Sequence, residues 1–334
     1  MTAALLEVTD LVKVFPVRRG GMLKRQVRSV RAVDGVSFVV DEGETMALVG
    51  ESGCGKSTVA RSVLRLHEPT SGRVVFAGED VTGATAPQLQ KLRRQMQLVF
   101  QDPYASLNPR MTVRAILSEP FQIHGLPVDG QVEQLLAQVG LSPEHASRYP
   151  HEFSGGQRQR VGVARAIALG PKLVICDEPV SALDVSVRTQ VLNVLEDLQR
   201  ELGLSYLLIS HDLAVVRHLA RRIAVMYLGR VVEMAPTEEL LHRSRHPYTQ
   251  SLISAVPLPD PRRERARTRI ILRGDPPDPA NPPSGCSFRT RCPLFASELS
   301  EADRARCVQD PPDLIDDGNG HALACHFGRV RAVR

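Results

Sequence analysis

The sequence is poor in two features that mark membrane-spanning and secreted chains. No apolar run approaches the ~20 residues that a membrane-spanning helix requires. The N-terminal segment MTAALLEVTD has no basic stretch followed by a long apolar core, so it does not resemble a secretory signal peptide. Tryptophan is absent and aromatic residues make up only 4% of the chain, which excludes no class of protein. We therefore expect a cytosolic protein that, if it works at a membrane, relies on other chains for the spans.

The cysteines lack the paired C-x₂-C spacing of a zinc ribbon. Four of the six lie near the C-terminus, with five, fourteen and seventeen residues between them: Cys286, Cys292, Cys307 and Cys325. Disulfides are a poor expectation in a reducing cytosol. Four soft thiolates instead indicate a metal, although free thiols or disulfides remain alternatives.

Composition and charge are those of an ordinary soluble protein. Of the 334 residues, 43% are hydrophobic and 24% charged, and the net charge is +5. The positive charge is concentrated in VRRGGMLKRQVRSVR and PRRERARTR. We expect these clusters to be solvated loops, with binding to anionic lipid or nucleic acid as the alternatives.

Strand-like and helix-like segments alternate along most of the chain. Strands are predicted at 5–15, 32–40, 45–50, 95–100, 205–210 and, with a turn, 221–234, and also in KLVICDEP; helices are predicted at 56–66, from Ser154 to about Leu169, and in VRTQVLNVLEDLQREL. This alternation predicts an α/β fold with a largely parallel sheet.

The composition of the sequence changes after about residue 256. VPLPDPRRER and GDPPDPANPPSGC are rich in proline, which predicts that regular structure stops there. We therefore expect a main domain at 1–256 and a loop-rich, cysteine-containing extension at 257–334.

A glycine-rich loop follows the strand at 45–50. GESGCGKS fits the pattern G-x-x-x-x-G-K-[ST] between a strand and a helix, which is the setting of a phosphate-binding loop. We expect Lys56 to reach the β- and γ-phosphates of a nucleotide and Ser57 to occupy a Mg²⁺ position, while Cys54 is a small filler. The expected nucleotide contacts of this loop are Gly50, Ser52, Gly53, Cys54, Gly55, Lys56, Ser57 and Thr58.

Polar residues follow three of the predicted strands. Asp177 and Glu178 end KLVICDEP, and we expect Asp177 to hold Mg²⁺ through water and Glu178 to polarise an attacking water. Gln101 would bind Mg²⁺ or the water, and His211 the γ-phosphate. The alternative for each is an ordinary solvated strand end.

A capped helix is predicted at FSGGQRQ. Ser154 and Gln157 have the spacing of a capping box. Gly155 and Gly156 are poor residues for a helical first turn that needs only stability, so they indicate a second anion site at this helix end. Simple capping by Ser154 is the alternative.

SGGQ, about twenty residues before LVICDEP, resembles the signature of ABC ATPases, and the resemblance covers roughly residues 5–255. It implies a P-loop ATPase core with an antiparallel β edge and an inserted helical subdomain at about 103–165. It also implies that ATP is sandwiched between the glycine loop of one subunit and Ser154–Gln157 of its partner. By the same resemblance Asp184 communicates across the dimer and Phe15 stacks on adenine.

Four segments resemble the ATP-binding subunits of oligopeptide/dipeptide importers: VGESGCGKST, QDPYASLNPRMTV, RHPYTQSL and NPPSGCSFRTRC. This implies an ATPase at the cytoplasmic face of the membrane that drives peptide or, in some members, nickel uptake. The implied partners are two permease subunits that dock near residues 102–113, a second ATP-binding subunit, expected to be a paralogue, and an extracytoplasmic peptide-binding protein, with no nucleic acid.

The importer resemblance extends to the C-terminal cysteines. It implies a [4Fe–4S] centre at Cys286, Cys292, Cys307 and Cys325, although the gap before Cys307 is longer than is usual in the family. Zinc remains the alternative, with His321 and His326 as spare ligands. Two other functions are weighed: a soluble ABC ATPase acting on ribosomes or DNA, and a sugar-importer ATPase. The chain lacks the second cassette or long coiled coil of the former and the C-terminal β-barrel of the latter.

Overall fold

The computed structural model describes residues 4–19, 26–257, 260–266 and 269–331. The chain forms two compact units. Unit 1 takes its described residues from Met1–Leu6, Val39–Met46 and Val75–Leu219, and unit 2 from Glu7–Phe38, Ala47–Val74 and Ala220–Arg334. The division predicted at residue 256 stays a prediction. Part of the basic segment VRRGGMLKRQVRSVR lies outside the described residues.

The strands of the described residues are β1 (Ala4–Arg19), β2 (Gln26–Asp41), β3 (Thr45–Val49), β4 (Ser71–Phe76), β5 (Glu79–Asp80), β6 (Met96–Val99), β7 (Leu173–Asp177), β8 (Ser205–Ser210), β9 (Arg222–Tyr227), β10 (Arg230–Pro236), β11 (Ile315–Asp316) and β12 (Ala322–Leu323).

The helices are α1 (Lys56–Val63), α2 (Ala86–Gln95), α3 (Pro103–Ser106), α4 (Val113–Ile123), α5 (Gln131–Gln138), α6 (Gly155–Ile167), α7 (Val185–Leu202), α8 (Leu213–Leu219), α9 (Thr237–Arg243), α10 (Pro247–Ala255), α11 (Pro261–Ala266), α12 (Pro293–Ser297) and α13 (Glu301–Gln309), with 3₁₀ turns at Pro143–Ser147 and Pro150–Glu152. No helix in the described ranges is long and apolar enough to cross a bilayer.

Unit 1 contains a parallel ladder in the order β6-β7-β8. Leu173 of β7 lies opposite Met96 on one side and Ser205 on the other. Every residue of β7 and β8 is buried. Such continuous apolar strands are typical of a parallel sheet covered on both faces. The carboxyl ends of these strands therefore lie along one edge.

The helices of unit 1 follow the expected patterns. Between residues 103 and 167 the chain forms α3, α4, α5 and α6. Helix α7 is amphipathic, since its buried residues are Val191, Leu192, Leu195 and Leu198. It ends at Leu202 and is followed by Gly203, whose φ of 66° gives the left-handed cap common at helix ends.

Unit 2 contains antiparallel strands. β9 pairs with β10 across a turn at Leu228 and Gly229, both of which have positive φ. β12 pairs with the other edge of β10, and β11 with β12. The last three residues of β3 also belong to this unit. Together with the parallel strands of unit 1, these strands confirm the predicted α/β class with an antiparallel part.

The C-terminal segment is more regular than its prolines predict. Residues 274–286 are irregular as expected, but helix α11 begins inside VPLPDPRRER, and α12, α13, β11 and β12 follow. Pro261 and Pro293 are the first residues of their helices, where proline loses no hydrogen bond because the first N–H groups of a helix have no partner within it. The prediction that regular structure stops near residue 256 is therefore wrong in detail.

Candidate functional site

The glycine loop in unit 2 connects β3 to α1 and requires glycine by close packing. A Cβ at Gly50 would lie 2.3 Å from the Met226 carbonyl oxygen, and one at Gly55 would lie 2.1 Å from that of Ala32. Both glycines have positive φ, 154° and 109°. The N-cap residue of α1 is Gly55, which has no side chain to cap the helix, so the first N–H groups of α1 are suited to binding an anion.

Lys56 folds back over this loop. Its Nζ donates hydrogen bonds to the carbonyl oxygens of Gly50, at 2.8 Å, and Glu51, at 2.9 Å. The residue is 5% exposed. Cys54 is also buried, and burial raises the pKa of its thiol although Lys56 opposes the shift. The Cys54 thiol is therefore harder to deprotonate than an exposed thiol, and its role as a small filler stays a prediction.

The remaining residues predicted at the loop are more exposed. Ser52 and Gly53 are exposed, whereas Ser57 and Thr58 are half-buried in the first turn of α1. Phe15, on β1 of the same unit, is half-buried and meets the His67 ring edge-on at 5.4 Å between centroids.

Three polar side chains meet around the Glu178 carboxylate at the carboxyl ends of the parallel strands in unit 1. Gln101, Glu178 and His211 follow β6, β7 and β8. Gln101 Nε2 donates to Glu178 Oε2 at 2.9 Å, and His211 Nδ1 lies 3.1 Å from Glu178 Oε1. The structure thus joins the three residues that the sequence predicted separately. Asp177, the last residue of β7, is 5% exposed.

Glu178 has an unusual backbone. Its φ of 49° lies in the left-handed region, which costs a non-glycine residue about 1–2 kcal/mol. Its N–H donates to the Ile209 carbonyl, and its own carbonyl accepts from Ser181 Oγ. These bonds hold the strained turn, whose effect is to fix where the carboxylate points.

Ser154 caps helix α6 by the predicted capping box. Its Oγ accepts from the Gln157 N–H, and Gln157 Oε1 accepts from the Ser154 N–H. A Cβ at Gly156 would lie 2.1 Å from Val187 Cγ1 of α7, and one at Gly155 would lie 3.2 Å from Leu183 Cδ2. Packing against α7 therefore explains Gly156 without a ligand, whereas Ser154 itself is exposed.

Asp184 is exposed and immediately precedes α7. Its side chain makes no capping hydrogen bond to the described residues of that helix. Nearby, Arg188 pairs with Asp212 at 2.9 Å, which connects the start of α7 with the residue after His211.

The four C-terminal cysteines line one cavity of about 10 Å³ in unit 2. All four are free thiols: Cys286, Cys292, Cys307 and Cys325. Burial, with smaller contributions from the neighbouring thiols, raises the pKa of Cys325 to about 12. No group of three or more metal-binding side chains forms among the described residues.

The histidines considered as spare ligands contact other groups. His321 is 2% exposed and its Nε2 lies 2.8 Å from the Glu233 carboxylate. His326 Nε2 lies 2.9 Å from the Asp310 carbonyl oxygen.

Sequence reasoning missed three residues around the glycine loop. The Glu51 carboxylate pairs with Arg291, at 2.8 and 3.1 Å, and the Glu51 N–H donates to Tyr248 Oη at 2.8 Å. These contacts join residues about 200 or more positions apart. The only signal in the sequence was the importer resemblance of RHPYTQSL, which contains Tyr248, and of NPPSGCSFRTRC, which contains Arg291.

Two family models match the chain. Residues 33–181 match the family described as ABC transporter, and residues 232–298 match the oligopeptide/dipeptide transporter C-terminal region.

Curated relatives match over nearly the whole length. The chain is 50% identical to the oligopeptide transport ATP-binding protein AppF of Bacillus subtilis, over 98% of this chain and 99% of that protein. It is 48% identical to OppF of Salmonella typhimurium, over 96% of this chain and 95% of that protein.

Solved structures match the cassette. A dimeric ATP-binding cassette, MJ0796 bound to ADP and Pi, aligns with a TM-score of 0.61 and 27% identity, over 70% of this chain and 98% of that one. CbiO1 of Clostridium perfringens, part of an ABC transporter complex, aligns with a TM-score of 0.62 and 27% identity, over 71% of this chain and 90% of that one.

Proposed function

The chain belongs to the family of ATP-binding subunits of oligopeptide/dipeptide ABC transporters, and from this premise we propose that it hydrolyses ATP to drive peptide import through a membrane complex. The observation that carries the proposal is the Glu178 carboxylate bonded by Gln101 and His211 at the strand ends. It supports hydrolysis, while the full-length relatedness to oligopeptide transport proteins supports the substrate class.

The glycine loop is proposed to bind the triphosphate. Lys56 would exchange its bonds to the Gly50 and Glu51 carbonyls for bonds to the β- and γ-phosphates. Its present partners are neutral, so a phosphate is the stronger acceptor. The N-terminus of α1, where the N-cap residue Gly55 has no side chain, adds N–H groups and the helix dipole. Phe15 remains the residue proposed to stack on adenine.

Glu178 is proposed to act as general base. It would accept a proton from the water whose oxygen attacks the γ-phosphorus in line with the departing ADP oxygen. The hydrogen bonds from Gln101 and His211 hold both carboxylate oxygens, which fixes the direction of the base before the substrate arrives. His211 would also contact the γ-phosphate.

Mg²⁺ is proposed to be held by Ser57, Gln101 and Asp177, as the family resemblance implies. The donor set fits, since hydroxyl, amide and carboxylate oxygens suit this hard cation. Gln101 uses its amide nitrogen toward Glu178, which leaves the amide oxygen as the ligand atom. The ion would neutralise charge on the β- and γ-phosphates.

A second ATP-binding subunit is proposed to complete the site. Ser154, Gly155, Gly156 and Gln157 would contact the γ-phosphate bound to the partner, and Asp184 would communicate across the dimer. The exposure of Ser154 and Asp184 supports this assignment. The dimeric state of the similar MJ0796 cassette supports it further. The partner is proposed to be a paralogue, as the resemblance implies.

Residues 102–113 are proposed to dock on a permease subunit. Phe100 and Tyr104 are 44% and 65% exposed, unusually high for aromatic side chains. Asp102 caps the short helix α3, and the Arg158 guanidinium lies 4.1 Å from the Tyr104 ring centroid. An exposed but ordered aromatic is suited to a protein interface. Two permeases would place this subunit at the cytoplasmic face of the membrane.

The cysteine cavity is proposed to hold a metal centre, with [4Fe–4S] as the centre that the resemblance implies and zinc as the alternative. Four thiols around one cavity are a suitable donor set for either. The present volume of about 10 Å³ admits no more than a water-sized group, so the thiols must move apart on loading. The centre would cross-link the segments that carry the four cysteines.

The test of ATP hydrolysis uses the chain in its complex with the permeases, in liposomes. In a complex where every copy of this chain carries Glu178→Gln, MgATP binding should persist while turnover falls about 10²–10⁴-fold. Glu201→Gln, an exposed glutamate at the end of α7, is the matched control and should keep wild-type turnover. Wild-type turnover in the Glu178 variant would show that Glu178 is not the general base. An absence of peptide uptake by the wild-type complex would contradict the transport role.

Metal content tests the cysteine centre. Anaerobically purified full-length chain should contain iron and acid-labile sulfide, and lose both when Cys286 and Cys292 are replaced by serine. One zinc per chain without iron would select the alternative, and neither metal would contradict both.

A further inference from the structure

Glu51, the second residue of the glycine loop, is held by residues far from it in sequence. Arg291 Nη1 and Nη2 donate to Glu51 Oε2 and Oε1 at 2.8 and 3.1 Å. The Glu51 N–H donates to Tyr248 Oη at 2.8 Å, and its carbonyl accepts from Lys56 Nζ at 2.9 Å. The side chain, amide and carbonyl of one loop residue are therefore all bonded, and one of the partners is the lysine proposed to bind ATP.

The ion pair is partly shielded from water, mainly on the arginine side. The Arg291 side chain is 8% exposed and that of Glu51 28%. Burial, the largest single cause, lowers the pKa of Arg291, but the interactions of its guanidinium with Glu51 and Tyr227 together raise that pKa. A bidentate pair in this setting is stronger and more directional than an exposed surface pair.

The backbone of Arg291 is held next to a buried aromatic cluster. Its backbone N–H donates to the Phe288 carbonyl at 3.0 Å. The Phe288 ring, 1% exposed, packs 5.2 Å from the Tyr227 ring and 5.4 Å from the Tyr248 ring. The same aromatic cluster thus supports both groups that contact Glu51. The backbone of Arg291 is therefore anchored beside the loop, and its two bonds to the carboxylate can fix the position of Glu51.

We propose that Arg291 is a positioning residue for ATP binding, which acts through Glu51 to hold the glycine loop in the conformation that presents Lys56 and the first turn of α1 to the triphosphate. The inference rests on the proposed function and deepens it, because it assigns a part of nucleotide binding to the C-terminal segment. Without Arg291 the loop would populate other conformations, and each MgATP bound would first have to reorder it.

The test measures MgATP affinity and steady-state turnover of the full chain in its complex. Arg291→Gln should raise Kd and KM for MgATP about tenfold, equivalent to about 1.4 kcal/mol, and change kcat less than about threefold. Arg291→Lys keeps the charge but not the fork of donors and should recover part of the affinity. Glu51→Gln should match Arg291→Gln, and the double variant should be no worse than either single variant, since both remove one interaction.

The matched control is Arg245→Gln. Arg245 pairs with Asp317 at 2.8 Å in the same unit, with exposures of 29% and 27%, but contacts no loop residue through that pair. It should leave Kd unchanged. If Arg291→Gln does not fold, as judged by circular dichroism, Glu51→Gln and the Arg291→Lys comparison carry the test.

The outcomes separate this inference from the proposed function. A wild-type chain that does not bind MgATP would overturn the proposed function itself. Wild-type binding with an unchanged Kd in Arg291→Gln and Glu51→Gln would overturn only the role of Arg291. Additive losses in the double variant, or a fall in kcat with unchanged KM, would also contradict positioning through Glu51.

Discussion

Replacing Gly55 with alanine tests whether close packing sets the shape of the glycine loop. The new Cβ would lie 2.1 Å from the Ala32 carbonyl oxygen, whereas ordinary contacts begin at 3.4 Å, so about 1.3 Å of movement is required. The obstacle is backbone, which cannot rotate away as a side chain can. Overpacking of this kind costs about 1–3 kcal/mol. The φ of 109° adds about 1–2 kcal/mol of strain.

The matched control is Gly53→Ala in the same loop. Gly53 also has a positive φ, 80°, but a Cβ there would meet no heavy atom within 4 Å among the described residues. Alanine at this position therefore adds backbone strain alone. The difference between the two variants isolates the steric part, which we expect to be about 1–3 kcal/mol.

The assay is urea unfolding of the full chain without nucleotide, so that effects on ATP binding do not enter. Gly55→Ala should lower the unfolding midpoint clearly more than Gly53→Ala, with similar slopes. Equal midpoints for the two variants would refute the argument, because they would show that the loop moves away from Ala32 at no cost.

Two further predictions concern a buried histidine and the packing of α6 on α7. Burial lowers the pKa of His246 from 6.5 to about 4. Between pH 6.5 and 4 this histidine is therefore protonated in the unfolded chain but not in the folded one. The free energy of unfolding should fall by up to about 3 kcal/mol as the pH drops from 6.5 to 4. His246→Asn, which can still cap α10, should reduce this slope in pH-dependent unfolding, and an unchanged slope would contradict it. Gly156→Ala should cost about 1–3 kcal/mol through contact with Val187, and Val187→Ala in the same chain should recover part of that loss in a double-mutant cycle.

The sequence predicted the order of strands and helices and the residues at the strand ends well, because both follow from local patterns. β8 begins and ends as predicted, and the capping box of Ser154 and Gln157 forms as predicted. Parallel strands end at one edge, so the meeting of Gln101, Glu178 and His211 follows from their positions after three strands. The left-handed φ of Glu178 does not follow, because side-chain type at a strand end does not fix the next backbone angle.

What could not be predicted depends on contacts between distant segments or on the double role of proline. The pair of Glu51 and Arg291 joins residues 240 positions apart, and neither has a local pattern that selects the other. Pro261 lies in a stretch where the prolines predict an end to regular structure, yet it starts a helix. The packing of Gly156 against Val187 of α7 is likewise a contact between separate elements, and the phosphate contact proposed for Gly156 stays a prediction.

The pairing of β12 with β10 bears on how shortened forms of this chain would behave in solution. Leu323 and Ala322 lie opposite Glu233 and Met234, and the Ala324 N–H donates to the Val232 carbonyl. Cutting the chain near residue 256 would uncover this stretch of backbone and also remove His321 from the fully buried Glu233. An uncovered strand edge recruits other chains, so such fragments should precipitate or self-associate. Loss of activity in a truncated protein would then reflect its poor solubility, and would not by itself show what the segment after residue 256 does.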